Sequence, residues 1–190
     1  MGEIRFGGRL VTPAVVFARA ATMPMADITS YLLIEIGLSF QQPVGVISQI
    51  RTIQAIIAVV FALMMGAMSV KFKHKTLLIW GLLLIAISAM GCFMTPSFSL
   101  LLLVFPLAGI GTAMVQPMTN SLVGEHLPRE KRSGAIGWMM TGMASISILG
   151  GFFIKYLNEI GGWRLAFIGY AFPAAVIVAL LVYLWIPRSK

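Results

Sequence analysis

Three charged side chains sit where the sequence is otherwise apolar: Arg19, Asp27 and Arg51. A charge in hydrocarbon costs on the order of 2.5–3.5 kcal/mol on insertion scales, so these residues are functional candidates by default. Two kinds of chemistry are open to them. They can contact a charged solute or carry a coupling proton, or Asp27 and Arg51 can form a structural ion pair between helices. Asp27 lies seven residues before Ile34 and Arg51 seven after Val44, which sets both about 10 Å below one membrane surface at 1.5 Å per residue. Arg19 falls about 12 Å nearer the other surface and has no evident partner, which favours function over structure. Gln54, Gln116 and Asn120 join these three charges as candidates for substrate contact or coupling.

These residues must be held by something that lies in lipid. Hydrophobic residues make up 59% of the 190 positions and charged ones 11%, against roughly 45–50% and about 25% in a soluble domain. The mean hydropathy is +0.94. A formal net charge of +8 invites a nucleic-acid reading, but the cations sit in short breaks between apolar runs rather than on a basic face. No nucleic-acid partner is expected, and the bilayer is the expected one.

Six runs approach the roughly 20 apolar residues that a crossing helix needs: 11–34, 44–70, 76–94, 98–123, 134–157 and 163–185. The chain therefore reads as one domain, residues 1–190, an all-α integral membrane protein with six transmembrane helices. Breaks such as Gln41-Gln42-Pro43 and Thr95-Pro96-Ser97 carry turn chemistry. Long continuous runs are not the short alternating strands of a β-barrel. The first run carries Arg19 and Asp27 and lacks a small-residue cleavage site, so it is expected to stay in the mature protein.

Six spans place both ends on one side, and the positive-inside rule says which. Arg5, Arg9, Lys71, Lys73, Lys75, Arg129, Lys131, Arg132, Arg188 and Lys190 fall on the side of the termini, Lys155 and Arg164 on the other. Both termini are expected in the cytoplasm, in a cell (plasma or inner) membrane.

Polar side chains must point at other helices or at water, so their distribution maps the interior. Spans three and six are nearly free of them and are expected to face lipid. Thr22, Thr29 and Ser30 in span one, Ser48, Gln49 and Thr52 in span two, Thr112 and Thr119 in span four, and Thr141, Ser145 and Ser147 in span five point to a shared polar cavity. Pro24, Pro106 and Pro117 permit kinks where helices must open and close.

Other chemistries are disfavoured. No span pairs a serine with a histidine, clusters histidines, or sets two carboxylates at one depth, so an enzyme is not expected. His74 and His126 fall in inner loops and read as solvated surface, so no metal or cofactor is expected. Cys92 reads as a small hydrophobe, and the thirteen methionines read as flexible packing.

At several places the spacing resembles the major facilitator superfamily, specifically its amino-terminal six-helix half. Gly66-Ala-Met-Ser-Val70-Lys71-Phe-Lys73-His74-Lys75 is similar to the family's motif A, with Val70 where the family has aspartate. The resemblance marks Lys71, His74 and Lys75 as a gating loop without its acidic partner. Gly109-Ile-Gly111-Thr-Ala113 before Pro117 resembles motif B, with Phe105 in place of its arginine. Gly142 and Gly150-Gly151 fall where motif C would lie, without its proline. Ile36-Gly37-Leu38-Ser39 and Gly162-Trp163-Arg164 with Phe167 resemble the family's exit from span one and start of span six. Gly109, Gly111, Gly142, Gly150 and Gly151 also suit close helix packing.

The resemblance implies two inverted three-helix repeats and a substrate site near the midplane between two halves. Six spans rather than twelve leave a natural half-size unit or a piece of a longer chain. The expected function is a half-size secondary transporter of a small molecule or ion, working by alternating access. Its polar face demands a second copy or a complementary half, with gates near the inner charged loops and near Glu35, Gln41 and Gln42 outside. A non-transporting assembly or scaffold subunit is the alternative, and it would tolerate apolar replacement of the polar positions.

Overall fold

The computed structural model describes residues 4–186, with side chains described from Leu10 onward. Arg188 and Lys190, assigned above to the inner side, lie outside the described residues, and Arg5 and Arg9 are described by backbone alone. Every regular element among the described residues is helical.

The first apolar run resolves into α1 (Ile4–Ala20), α2 (Met23–Tyr31) and α3 (Leu33–Ser39), not one uninterrupted helix over 11–34. Pro24 explains the first break: it has no N–H to give the Ala20 carbonyl, and its ring crowds that carbonyl. The Thr22 hydroxyl closes the interruption by donating to the Arg19 carbonyl at 2.7 Å. After Pro43 come α4 (Val44–Ile47) and α5 (Gln49–Lys71). Then follow α6 (His74–Met94), α7 (Phe98–Val104) and α8 (Pro106–His126). Pro106 separates α7 from α8, and the buried Ser88 hydroxyl of α6 supports the junction by donating to the Val104 carbonyl at 3.0 Å.

The last segment is α9 (Arg129–Ala166), a π-helical turn (Phe167–Ala171) and α10 (Phe172–Trp185). Among the described residues, four segments are long and apolar enough to cross a bilayer: Val44–Lys71, His74–Met94, Phe98–His126 and Arg129–Trp185. The fourth has 57 residues and would be about 85 Å long if straight, against a hydrocarbon core of about 30 Å. It turns instead at Gly161 and Gly162, whose φ of −145° and 74° are not helical. Gly162 occupies the positive-φ region that a β-carbon disfavours. The two arms then lie against each other: Tyr170 donates to the Ile146 carbonyl at 3.0 Å, and its ring meets Phe153 at 5.7 Å.

The bundle centres on α8, which packs on α5, α6 and α1. α6 and α8 cross where Gly81 faces Gly111; a β-carbon on Gly81 would lie 2.9 Å from the Gly111 carbonyl oxygen. α6, expected to face lipid, does so on one side only: Trp80, Ile87 and Met94 are exposed, while Leu77, Leu78, Leu82, Ile85, Ala89 and Cys92 are buried against other helices. The least buried long helix is α5, where Ile50 and Met65 alone are buried among the described residues. A lipid tail and a neighbouring helix are equally apolar, so lack of polar residues does not distinguish them. On α10, Ala175, Val178, Ala179 and Val182 form a buried stripe, while Ile177, Leu180 and Leu184 stay exposed.

Candidate functional site

The candidate charges join neighbouring helices: Asp27 links α2 to α9, Arg51 links α5 to α2, and Arg19, at the end of α1, reaches α9. Asp27, 9% exposed, accepts a hydrogen bond from the Ser147 hydroxyl of α9 at 2.7 Å through Oδ1. Its other oxygen, Oδ2, is buried with no hydrogen-bond partner among the described residues. Leaving such a group unmade costs about 1–3 kcal/mol, more for a charge.

The ion pair between Asp27 and Arg51 does not form. Arg51 reaches across from α5 to the Ala26 carbonyl at 3.2 Å and to the Ser30 hydroxyl. Ser30 in turn donates to the same Ala26 carbonyl at 2.9 Å. Arg51 therefore ties α5 to α2 beside Asp27, through backbone and hydroxyl rather than through the carboxylate. Depth placed the two residues together, but the side chain's approach is set by helix rotation.

Arg19 sits apart from this group. Its Nε donates to the Met143 sulfur of α9 at 3.4 Å, a weak acceptor. Its Nη1 is buried without a hydrogen-bond partner among the described residues. Met143 and Ser147 are one helical turn apart, so a single face of α9 receives both Arg19 and Asp27. Neither Met143 nor Ser147 stood out in the sequence: the first reads as packing, the second as one of several span-five hydroxyls. Thr141 and Ser145 are exposed.

Gln54 is half-buried in a crevice of about 560 Å³ with Arg51, Thr52, Gly109 and Thr112. Gly109 lets α8 approach α5 closely at the floor of this crevice, because a β-carbon there would lie 2.7 Å from the Gln54 carbonyl oxygen. Gln116 and Asn120 lie farther along α8, both exposed. Thr112, Gln116 and Asn120 recur every four residues, so they share one side of α8. The structure thus sets Arg51 beside Asp27 and in one crevice with Gln54, places Arg19 on the same face of α9 as Asp27, and leaves Gln116 and Asn120 exposed on the side of α8 that carries Thr112.

The remaining glycines singled out in the sequence also meet neighbouring helices. A β-carbon on Gly142 would lie 2.8 Å from Val16, one on Gly151 would lie 3.2 Å from the Tyr31 ring, and Gly150 faces the Tyr170 hydroxyl. Beyond Tyr31, a cavity of about 580 Å³ opens between α2, α3 and α9, lined by Tyr31, Glu35, Phe152, Lys155 and Glu159 among others.

At the opposite end, the loop before α6 has an acidic partner after all, though not within its own sequence. His74 Nδ1 pairs with Oε1 of Glu125, at the end of α8. Lys75 donates to the Tyr183 carbonyl at 2.7 Å and to the Ile186 carbonyl, at the end of α10. Lys71 is exposed. Arg132 caps α8 by donating to the Gly124 and Leu127 carbonyls at 2.6 and 3.0 Å. The loop is thereby fastened to two helix ends distant in sequence.

Comparison with known proteins agrees with this architecture. The chain is 30% identical over 180 residues to a probable sugar efflux transporter of Pasteurella multocida, covering 88% of this chain and 44% of that protein. It is 25% identical over 150 residues to the multi-drug resistance efflux pump PmrA of Streptococcus pneumoniae, covering 77% of this chain and 37% of the pump. The chain thus spans less than half the length of these relatives. Its fold matches the in meso crystal structure of the POT family transporter PepTSo with a TM-score of 0.79, at 14% identity, over 96% of this chain and 39% of that one. Residues 15–190 match the family profile as well, and the chain belongs to the Major Facilitator Superfamily.

Proposed function

We propose that this chain is a six-span half of a secondary transporter, with both termini in the cytoplasm. It pairs with a second copy or a complementary half and moves a small molecule or ion by alternating access. The observation that carries this reading is Asp27, a carboxylate buried at a helix junction with one oxygen unpartnered. Intramembrane acids are costly and mark solute or proton paths. Asp27 is read as the coupling or substrate-contacting group, with Arg51, Gln54, Gln116 and Asn120 lining the path and Arg19 a second contact nearer the cytoplasm. Glycines Gly109, Gly111, Gly142, Gly150 and Gly151 let the helices approach, while Lys71, His74 and Lys75 form the inner gate.

Topology supports six crossings. Val16 meets Gly142 and Tyr31 meets Gly151, so α1–α2 and the first arm of α9 run in the same direction, as spans one and five must. The hairpin at Gly161–Gly162 then supplies the fifth and sixth. The cation distribution supports the cytoplasmic placement of both ends. The relatives' names, one for sugar efflux and one for multi-drug efflux, favour a small organic solute moved outward. Reconstituted vesicles, assayed with and without a proton gradient against a panel of sugars and cationic drugs, test the reading. Transport by the native protein that disappears in Asp27→Asn supports it, and transport equal in both sinks the role of Asp27.

A further inference from the structure

We propose that the groove between α6 and α10 beside Lys73 binds the headgroup of an anionic phospholipid. The groove encloses about 490 Å³, and its lining includes Lys73, Lys75, Thr76, Ile79, Trp80 and Tyr183. Its chemistry is graded along the helix. Lys73 immediately precedes α6 and Thr76 belongs to the first turn, whereas Trp80 lies about 10 Å farther in at 1.5 Å per residue. Cation, hydroxyl, aromatic ring and aliphatic wall thus follow in the order phosphate, glycerol and acyl chain that a lipid presents on entering the bilayer. The two rings are open to the outside, Trp80 at 56% and Tyr183 at 57% exposure.

Lys75 is fixed in the wall of this groove. Its ammonium donates to the Tyr183 and Ile186 carbonyls and stands 5.2 Å from the centre of the Tyr183 ring. Lys73 is exposed at the mouth. No lining residue is acidic, in contrast to the adjoining crevice of about 280 Å³, where Glu125 faces the same loop and already pairs with His74. An anion in the first therefore meets no carboxylate, whereas one in the second meets Glu125 beside Lys71 and Lys73. A second copy of the chain, itself carrying a formal charge of +8, is a poor electrostatic match for a cationic groove. This inference rests on placement of α6 and α10 in the bilayer and does not depend on what the protein transports.

The chain is assembled in nanodiscs of phosphatidylcholine containing a minor share of phosphatidylglycerol, and the lipid it retains on gentle release is counted by native mass spectrometry. Phosphatidylglycerol is expected to be retained in excess of its share, and Lys73→Gln to lower that retention about five-fold. Lys131→Gln, at an exposed position in the first turn of α9 and outside the groove, leaves it unchanged. Quenching of tryptophan fluorescence by brominated phosphatidylglycerol over brominated phosphatidylcholine gives a second reading, and Trp80→Phe removes the difference. Retention equal in the native chain and Lys73→Gln overturns the proposal, as does an equal fall in Lys131→Gln. Cross-links joining Lys73 of two copies in the presence of phosphatidylglycerol also overturn it.

Discussion

Ser147 donates a hydrogen bond of 2.7 Å to Oδ1 of Asp27, so the one buried carboxylate described in the bundle is oriented by α9 rather than by the arginine at its own depth. Oδ1 is held and Oδ2 is left over. A carboxylate restrained at one oxygen and unpartnered at the other can change its protonation or accept a solute donor without first breaking a salt bridge.

Ser147→Ala removes that restraint and leaves Asp27 buried with fewer donors. A hydrogen bond to a charged group contributes about 1.5–3 kcal/mol, so the apparent unfolding temperature in detergent should fall. Asp27→Asn retains a hydrogen-bonding group of the same shape and should unfold near the native temperature while losing transport. A large loss of stability in Asp27→Asn would assign the residue to the fold instead.

Two glycines on α8 should respond in opposite directions. Gly109→Ala drives a β-carbon to 2.7 Å from the Gln54 carbonyl oxygen, forcing α5 away from α8 at about 1–3 kcal/mol. At Gly124 nothing lies within 4 Å of the point a β-carbon would occupy, so Gly124→Ala should be neutral or stabilise by up to about 1 kcal/mol through helix propensity. Thermal unfolding of the two variants side by side checks the contrast.

Trp163 Nε1 donates to the Ser39 hydroxyl at 2.9 Å, while Arg164 donates to the Thr95 carbonyl at 3.0 Å and stacks 4.3 Å over the Trp163 ring. Trp163→Phe keeps an aromatic ring against Phe40 and Phe167 and loses the indole donor, at about 0.5–1.5 kcal/mol, together with part of the buried ring that Arg164 stacks on. Ser39→Ala should cost the bond alone, and the double variant little more than Trp163→Phe, since both remove one bond. Additive losses would show that the two residues act separately. Trp163→Ala, which empties a buried site, should cost about 3–5 kcal/mol.

Arg51, Thr52, Gln116, Asn120, Thr141 and Ser145 are polar and either exposed or at the edge of the described bundle. Lipid is a poor solvent for them. Light scattering of the detergent-solubilised chain should therefore give a protein mass of twice 20.6 kDa, or one copy bound to a complementary half. A lone copy at every concentration would contradict the pairing.

Much of the architecture was legible in the residues, for reasons that differ element by element. The turn at Gly162-Trp163-Arg164 could be read because only glycine takes a φ of 74° without penalty. The break at Thr22 could be read only in part: Pro24 signals a kink, but not that the helix stops and restarts. Glu125 carries no local pattern that marks it as a partner, because His74 lies 51 residues away and only packing brings the end of α8 to it. Ser147 was one hydroxyl among three in span five until the rotation of α9 set it against Asp27.

Composition and spacing by themselves determined that this is a helical membrane protein, where its apolar segments fall, and which side chains are too costly to sit in lipid without cause. Those properties depend on local transfer free energies, which add along the chain. Which side chains meet was decided only by tertiary structure. A helix turns 100° per residue, so two residues at equal depth touch or miss according to the rotation and tilt of their helices. Asp27 therefore meets Ser147 and not Arg51, and α6, without a charge along its apolar length, buries one face in the bundle while Trp80 and Ile87 stay exposed on the other.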